Sequence, residues 1–311
     1  MRYTALIMAS WQAHVTTWIL KLTLKRKLAG AEDALHVRRL MKPRQVSIPK
    51  EVTITASRVG DVAGEWLQDP APSGATLLYL HGGGYVGCSP KTHRPITIGF
   101  AQRGFRVFAP EYRLAPEHLF PAAIQDAVAV YRALLADGIA PETIAVGGDS
   151  AGGGLTLALL LSLRVAGVPL PAAVVLFSPW TDLAATGDSI RTNDRRCAMF
   201  RGEGIARVAR YYLGSADPRN PLASPLYSDL AGLPPMIIHV GEDELLLDDS
   251  TRLAERARAA GVPVDLKIWP VVPHDWQLVP NMPEARQSMD ETAQFLTARI
   301  NEKQGASDAR V

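Results

Sequence analysis

Cysteine is scarce: Cys88 and Cys197 are the only two in 311 residues. Two thiols without paired spacing cannot form a disulfide framework or a cysteine-rich zinc site. They suit a reducing compartment, so a cytoplasmic location is expected. Long apolar runs are missing too. The longest, such as 172–177 and 236–238, are strand-sized and far below the ~20 residues of a membrane span. The N-terminus has only a short apolar stretch, 5–9, below the ~7–15-residue core of a signal peptide. Neither export nor stable membrane insertion is expected. Nor does one sign of charge dominate. Lys plus Arg number 33 against 31 Asp plus Glu, and a formal charge of +2 cannot build the broad positive field that holds nucleic acid. What remains is ordinary: 47% hydrophobic and 21% charged residues exclude a disordered chain. The length is about twice that of a usual domain, yet α/β folds often run so long as one unit.

Trp11, Val15, Trp18, Ile19 and Leu22 recur on one face of a helix. Lys21, Lys25, Arg26 and Lys27 follow them. A basic amphipathic helix can lie on an anionic membrane surface, but a terminal helix more often packs its stripe on the host domain, and that packing is the expectation here. From residue 50 the period changes to β-branched runs bounded by turn residues. Strands are expected at 51–56, 62–67, 75–80, 105–109, 143–147, 172–177, 236–240 and 264–269, the first two joined as a hairpin at Gly60-Asp61. Helices are expected at 94–103, 121–136, 151–166, 247–260 and 283–301. Strands alternating with helices form a parallel sheet covered on both faces. One interval breaks the rhythm, because 58 residues separate Phe177 from Met236 where a crossover needs far fewer. An excursion over the strand ends, with a helix at 203–212, would form a cap together with the N-terminal helix.

Gly148-Asp149-Ser150-Ala151-Gly152 follows the strand ending at 147 and opens a helix, the context of a nucleophile elbow, in which a sharp turn lifts a serine hydroxyl above the sheet. Ser150 is the candidate nucleophile. His81-Gly82-Gly83-Gly84 follows the strand ending at Leu80. Its glycines let backbone N–H groups converge on an oxyanion, with the Ala151 N–H as a further donor. A phosphate loop is the rival, but no Gly-Lys-Ser/Thr follows. Of seven histidines, His14 and His36 precede the sheet, His81 belongs to the glycine loop, His93 and His118 precede helices, and His239 lies inside an apolar strand. His274 alone follows the last strand in a loop at the sheet's carboxyl edge, where catalytic loops gather. The acid should stand between serine and histidine in the chain, after the strand ending at 240, where Glu242, Asp243 and Glu244 crowd together. Position alone leaves those three open. Asp248 and Asp249 fall near the first turn of the next helix, where negative charge favours the helix dipole, and are read as structural.

These pieces resemble the hormone-sensitive-lipase-like branch of the α/β-hydrolases, the bacterial family IV (GDXG) esterases. The resemblance rests on HGGGY at 81–85, EYRLAPEHLFPAAIQD at 111–126, GDSAGGGL at 148–155, SPWTDL at 178–183, GEDELLLDD at 241–249 and PHDW at 273–276, in family order over about residues 40–300. It implies an α/β-hydrolase fold: an eight-stranded, mostly parallel sheet flanked by helices, with a helical cap. Residues 1–45 would supply N-terminal cap helices and 184–215 an inserted cap segment. The core would be 46–183 and 216–304, and 305–311 a flexible tail.

The family's acidic motif lays its aspartate on Glu244, a departure in residue type that makes Glu244 the expected acid and Asp243 its rival. A glutamate can still accept the imidazole Nδ1–H bond and stabilise the imidazolium. Gly83 and Gly84, with Ala151, would form the oxyanion hole, while Tyr112, Arg113, Glu117, Asp149 and Asp182 would brace loops. The implied activity is hydrolysis of short- to medium-chain acyl esters by a Ser150-His274-Glu244 triad through an acyl-enzyme, with a small ester as partner and no metal or cofactor. The alternatives are a lactone hydrolase, an N- or O-deacetylase of a small metabolite, or a non-catalytic receptor on the same fold, against which the retained His274 argues. Tyr85, Val86, Trp18 and Trp276 are candidate pocket residues, and the edge strand 264–269 is a candidate homodimer contact.

Overall fold

In the computed structural model, residues 9–42, 46–72 and 74–308 are described. Residues 1–8 and 43–45 of the expected N-terminal cap segment, and 309–311 of the expected tail, lie outside them. Among the described residues eight strands are present, as expected: β1 (Thr53–Val59), β2 (Val62–Gln68), β3 (Thr76–Leu80), β4 (Arg106–Pro110), β5 (Ile144–Asp149), β6 (Ala173–Phe177), β7 (Met236–Gly241) and β8 (Val264–Trp269). They form one sheet in the order β1-β2-β4-β3-β5-β6-β7-β8. β1 and β2 are antiparallel, as are β2 and β4, and every later pair is parallel. β1 runs past the expected 51–56 because the hairpin register continues to Val59↔Val62. Its later half carries Ser57 and Arg58, polar residues suited to an edge strand.

The helices are α1 (Trp11–Leu22), α2 (Leu24–Ala29), α3 (Ala34–Leu40), α4 (Arg94–Ala101), α5 (Ala122–Ala136), α6 (Ser150–Val165), α7 (Ser189–Thr192), α8 (Gly202–Leu213), α9 (Leu247–Ala259) and α10 (Pro283–Asp308). α10 outlasts the expected 283–301 and carries residues 305–308 of the expected tail as helix. Because successive strand residues point to opposite faces, each central strand serves two cores. Leu78, Leu80 and Val146 meet Ile124 and Val130 of α5 and Leu155 and Leu159 of α6. Leu77, Tyr79 and Ala145 meet Ile96 and Phe100 of α4 and Met289 and Leu296 of α10. Val174, Leu176, Met236 and Ile238 pack under α9 through Leu253 and Ala257. The continuous burial of β3, β5, β6 and β7 is what a doubly covered parallel sheet requires.

The N-terminal helices and the segment between β6 and β7 are latched together. Lys25 Nζ donates to the backbone oxygens of Asp194 at 2.5 Å and Cys197 at 2.8 Å, and Tyr211 Oη donates to Glu32 O at 2.9 Å. α1 begins at Ser10, whose side chain accepts from Ala13 N–H, and is tied down by Thr17 Oγ1 donating to Val271 O at 3.0 Å. Its packing overturns one expectation. α1 buries Ala13 and Thr17, not the Trp11-Val15-Trp18-Ile19-Leu22 stripe, which faces outward. The stripe was expected to supply the packing surface because it is the larger; small residues on the other face let α1 sit closer to the loop it bonds.

Replacing Lys25 by Met keeps the stem and removes both latching bonds. Hydrogen bonds to a charged group contribute about 1.5–3 kcal/mol each, but burial of the ammonium, which lowers its pKa, offsets part of the two, so Lys25→Met is expected to lower stability by about 1–3 kcal/mol, read from urea denaturation.

Candidate active site

The turn from β5 into α6 is forced by close approach. A Cβ on Gly152 would lie 1.9 Å from Leu80 O and 2.6 Å from His81 O, so no side chain fits between α6 and β3. The turn holds Ser150 at φ +50°, in the left-handed region that non-glycine residues seldom occupy. Such strain, held by the packing on either side, is what lifts the hydroxyl of an elbow serine clear of the sheet. Ala151 is the second residue of α6, where the first N–H groups of a helix lack intrahelical partners.

Across the turn lies the glycine loop. Gly83 and Gly84 have φ +117° and +64°, and a Cβ on Gly83 would meet Gly87 O at 2.3 Å. The buried Asp149 carboxylate braces this loop, accepting from Tyr79 Oη at 2.8 Å, Gly82 N at 3.0 Å and His93 Nε2 at 2.9 Å. Burial opposes the charge on Asp149, yet His93 and these donors hold its pKa below the ordinary value. Tyr112 Oη donates to His81 O at 2.5 Å, its ring stacked on that imidazole at 4.3 Å. Arg113 is bound to Asp126, Glu117 to Arg38 of α3, and Asp182 to Arg252 and the Thr186 backbone. All five brace loops, as the resemblance implies. Asp248 and Asp249 likewise accept backbone bonds, from Ser189 and from Thr181 and Asp182.

His274 Nδ1 lies 2.5 Å from Glu244 Oε2. The other Glu244 oxygen accepts from Ser178 Oγ and from Gly241 N, each at 2.6 Å. Among the three acids left open by position, Glu244 alone meets the imidazole. Asp243 turns to Arg196 at 3.1 Å. On its far side, His274 Nε2 is 3.0 Å from Asp275 Oδ2, an ion-pair distance. Close as it is, the contact is an ion pair and not a hydrogen bond of good geometry. Burial lowers the pKa of His274, but the charges of Asp275 and Glu244 outweigh it and leave the imidazole well above its usual range. Burial raises the Asp275 carboxyl to about 7, against the pull of His274. Asp275 stands at φ +52°, which Asp tolerates better than most residues. In the sequence its only signal is a carboxylate next to the candidate base. Ser178 opens the SPWTDL motif but its role is not legible there, and His93 has no local signal, since the partners of both are distant in the chain.

Ser150, His274, Asp275, Gly83 and Gly84 all line one cavity of about 640 Å³. Its roof comes from both expected cap segments: Leu24, Leu28, Val37, Leu40 and Met41 on one side, Met199, Phe200, Ile205 and Val208 on the other. The four candidate pocket residues do not line it. Tyr85 is stacked on Tyr212 at 3.8 Å, and Val86 is wholly buried in the core beside it. Trp276 packs on Trp269 and donates Nε1–H to Glu284 O, and Trp18 points outward. Large size and nearness in sequence to the motifs suggested them, but burial within the wall took precedence. Among the described residues, no cluster of His, Cys, Asp or Glu is arranged to hold a metal ion.

A family profile described as alpha/beta hydrolase fold matches residues 77–278. The chain is 45% identical over 246 residues to an acetyl-hydrolase of Streptomyces hygroscopicus, covering 78% of this chain and 82% of the relative. It is 35% identical to an esterase of Acinetobacter venetianus, covering 93% and 97%. The crystal structure of an esterase from the bacterial hormone-sensitive lipase family superimposes with a TM-score of 0.87 at 42% identity, covering 94% of this chain and 100% of that one.

Removing the Asp275 charge takes away one of the two carboxylates that hold the proton on His274. In Asp275→Asn, a change the left-handed backbone accepts, the His274 pKa is expected to fall, so the neutral imidazole persists to lower pH. NMR titration of the ring C–H signals, with His274 assigned by its loss in His274→Gln, reads the shift; an unchanged pKa contradicts the geometry.

Proposed function

The chain belongs to the hormone-sensitive-lipase-like branch of the α/β-hydrolases and is a carboxylic ester hydrolase, and on that premise we propose that it works by a Ser150-His274-Glu244 triad through an acyl-enzyme. The observation that carries this reading is the buried His274–Glu244 pair opening into the same cavity as the strained Ser150. Ser150 Oγ attacks the ester carbonyl carbon while His274 Nε2 takes its proton. Glu244 steadies the imidazolium without taking the proton itself. The N–H groups of Gly83, Gly84 and Ala151 receive the oxyanion, a contribution worth about 10²–10³ in rate for each donor. Collapse expels the alcohol, which leaves with the proton from His274. Water then adds to the acyl-enzyme by the same route and frees Ser150.

His274 must be neutral to act as base. Its raised pKa therefore places the rise of activity on the alkaline side of an ordinary histidine.

We assign short- to medium-chain acyl esters, up to about hexanoate or octanoate, as the substrate class. The support is a cavity within the usual ~300–1,000 Å³ of small-molecule sites, roofed by apolar cap residues. The name of the Streptomyces relative favours removal of an acetyl group as the second reading, from oxygen or nitrogen of a small metabolite; a lactone would suit the same chemistry. Retention of all three triad residues counts against a non-catalytic receptor. β8 is an edge strand of the sheet, and we propose it as the contact of a homodimer. Both cysteines are free thiols, which suits a cytoplasmic setting. Among the described residues, no helix is long and apolar enough to cross a membrane.

Hydrolysis of p-nitrophenyl esters from acetate to palmitate, with Ser150→Ala alongside, tests the proposal. Turnover is expected to peak at short chains and to fall to background in the variant. Full activity in Ser150→Ala would end the triad reading, and a maximum at palmitate would end the chain-length assignment.

A further inference from the structure

α1 presents two apolar faces. At about 100° per residue, Ala13, Thr17 and Leu20 form the face turned to the protein, and Leu20 lines the cavity. The opposite face carries Trp11, Val15, Trp18, Ile19 and Leu22, respectively 71, 43, 63, 46 and 39% exposed. They fall within an arc of about 100° and form a continuous ridge. Isolated exposed apolar residues need no explanation, but a ridge with two tryptophans marks an interaction surface.

Charge indicates which partner fits. Residues 1–31 contain five Lys or Arg and no Asp or Glu, so the remainder of the chain is net negative. Arg26 and Lys27 are exposed just beyond the ridge, and the half-exposed Lys21 flanks it on the last turn of α1. Two copies meeting ridge to ridge would bring these like charges together. An anionic surface would take both features at once, the indole rings entering at headgroup depth and the cations meeting phosphate. We propose that the α1 ridge docks this enzyme on an anionic lipid surface, with the cavity one helix diameter behind the contact. α1 is fixed for that purpose by Thr17 on Val271, three residues before His274, and by Ser10 on the Glu284 carboxylate. The docking face is rigidly attached to the catalytic loop, so esters partitioned into the lipid would be presented beside the cavity. The inference does not depend on the triad assignment.

The test uses the full chain with vesicles of phosphatidylcholine, alone or mixed with phosphatidylglycerol, in co-sedimentation and tryptophan fluorescence at low salt. Binding with a blue shift is expected for the mixed vesicles only, and 0.5 M salt should weaken it. The double variant Trp11→Ser/Trp18→Ser should bind at least about tenfold more weakly while hydrolysing a water-soluble acetate ester as wild type does, which shows that it is folded. No binding by the wild type, or equal binding by the double variant, overturns the proposal. A concentration-dependent dimer in gel filtration that the double variant loses would also overturn it, by assigning the ridge to a second copy.

Discussion

One buried carboxylate joins the parts of the site that sequence keeps far apart. Glu244 receives Ser178 from the end of β6, the Gly241 backbone from the end of β7, and His274 from the loop after β8. Its own carbonyl accepts from Asn193 Nδ2 at 2.9 Å, which ties the inserted cap segment to the same residue. A carboxylate so buried costs several kcal/mol unless its lone pairs are filled, and here three donors fill them. The carboxyl group is therefore held in one position by partners from three separate parts of the chain.

A second buried acid has the matching role on the opposite side of the serine. Asp149 holds the glycine loop through the Gly82 N–H and is held in turn by Tyr79 and His93. Ser150 thus sits between two preformed elements, the braced glycine loop and an imidazole steadied from behind. Its own strained turn is kept by the contact of Gly152 with β3. Asp275 places a second carboxylate beside His274, and the two negative charges are what make the imidazole more basic than its burial alone would leave it.

Much of this was legible in the sequence because the informative residues were local. The strand and helix periods, the elbow between β5 and α6, and the glycine loop after β3 each declare themselves within a few residues. His274 could be separated from six other histidines by its place after the last strand. What could not be read depended on contacts across the chain. Choosing Glu244 over Asp243 required a family resemblance, since both carboxylates stand in one short loop and only the fold turns one inward. The pocket walls are not legible for a related reason: Tyr85, Val86 and Trp276 stand near the motifs, but the fold buries them behind the wall. The apolar period of α1 correctly indicated a helix, yet period alone cannot tell an inward stripe from an outward one when small residues on the other face make the packing.

The central claim is that Glu244, not its neighbour, orients the catalytic histidine. Comparing kcat for a short p-nitrophenyl ester in Glu244→Gln and Asp243→Asn tests it most directly. The account predicts a loss of about 10³–10⁴ in the first and near wild-type turnover in the second. A large loss in Asp243→Asn with Glu244→Gln left active would contradict it.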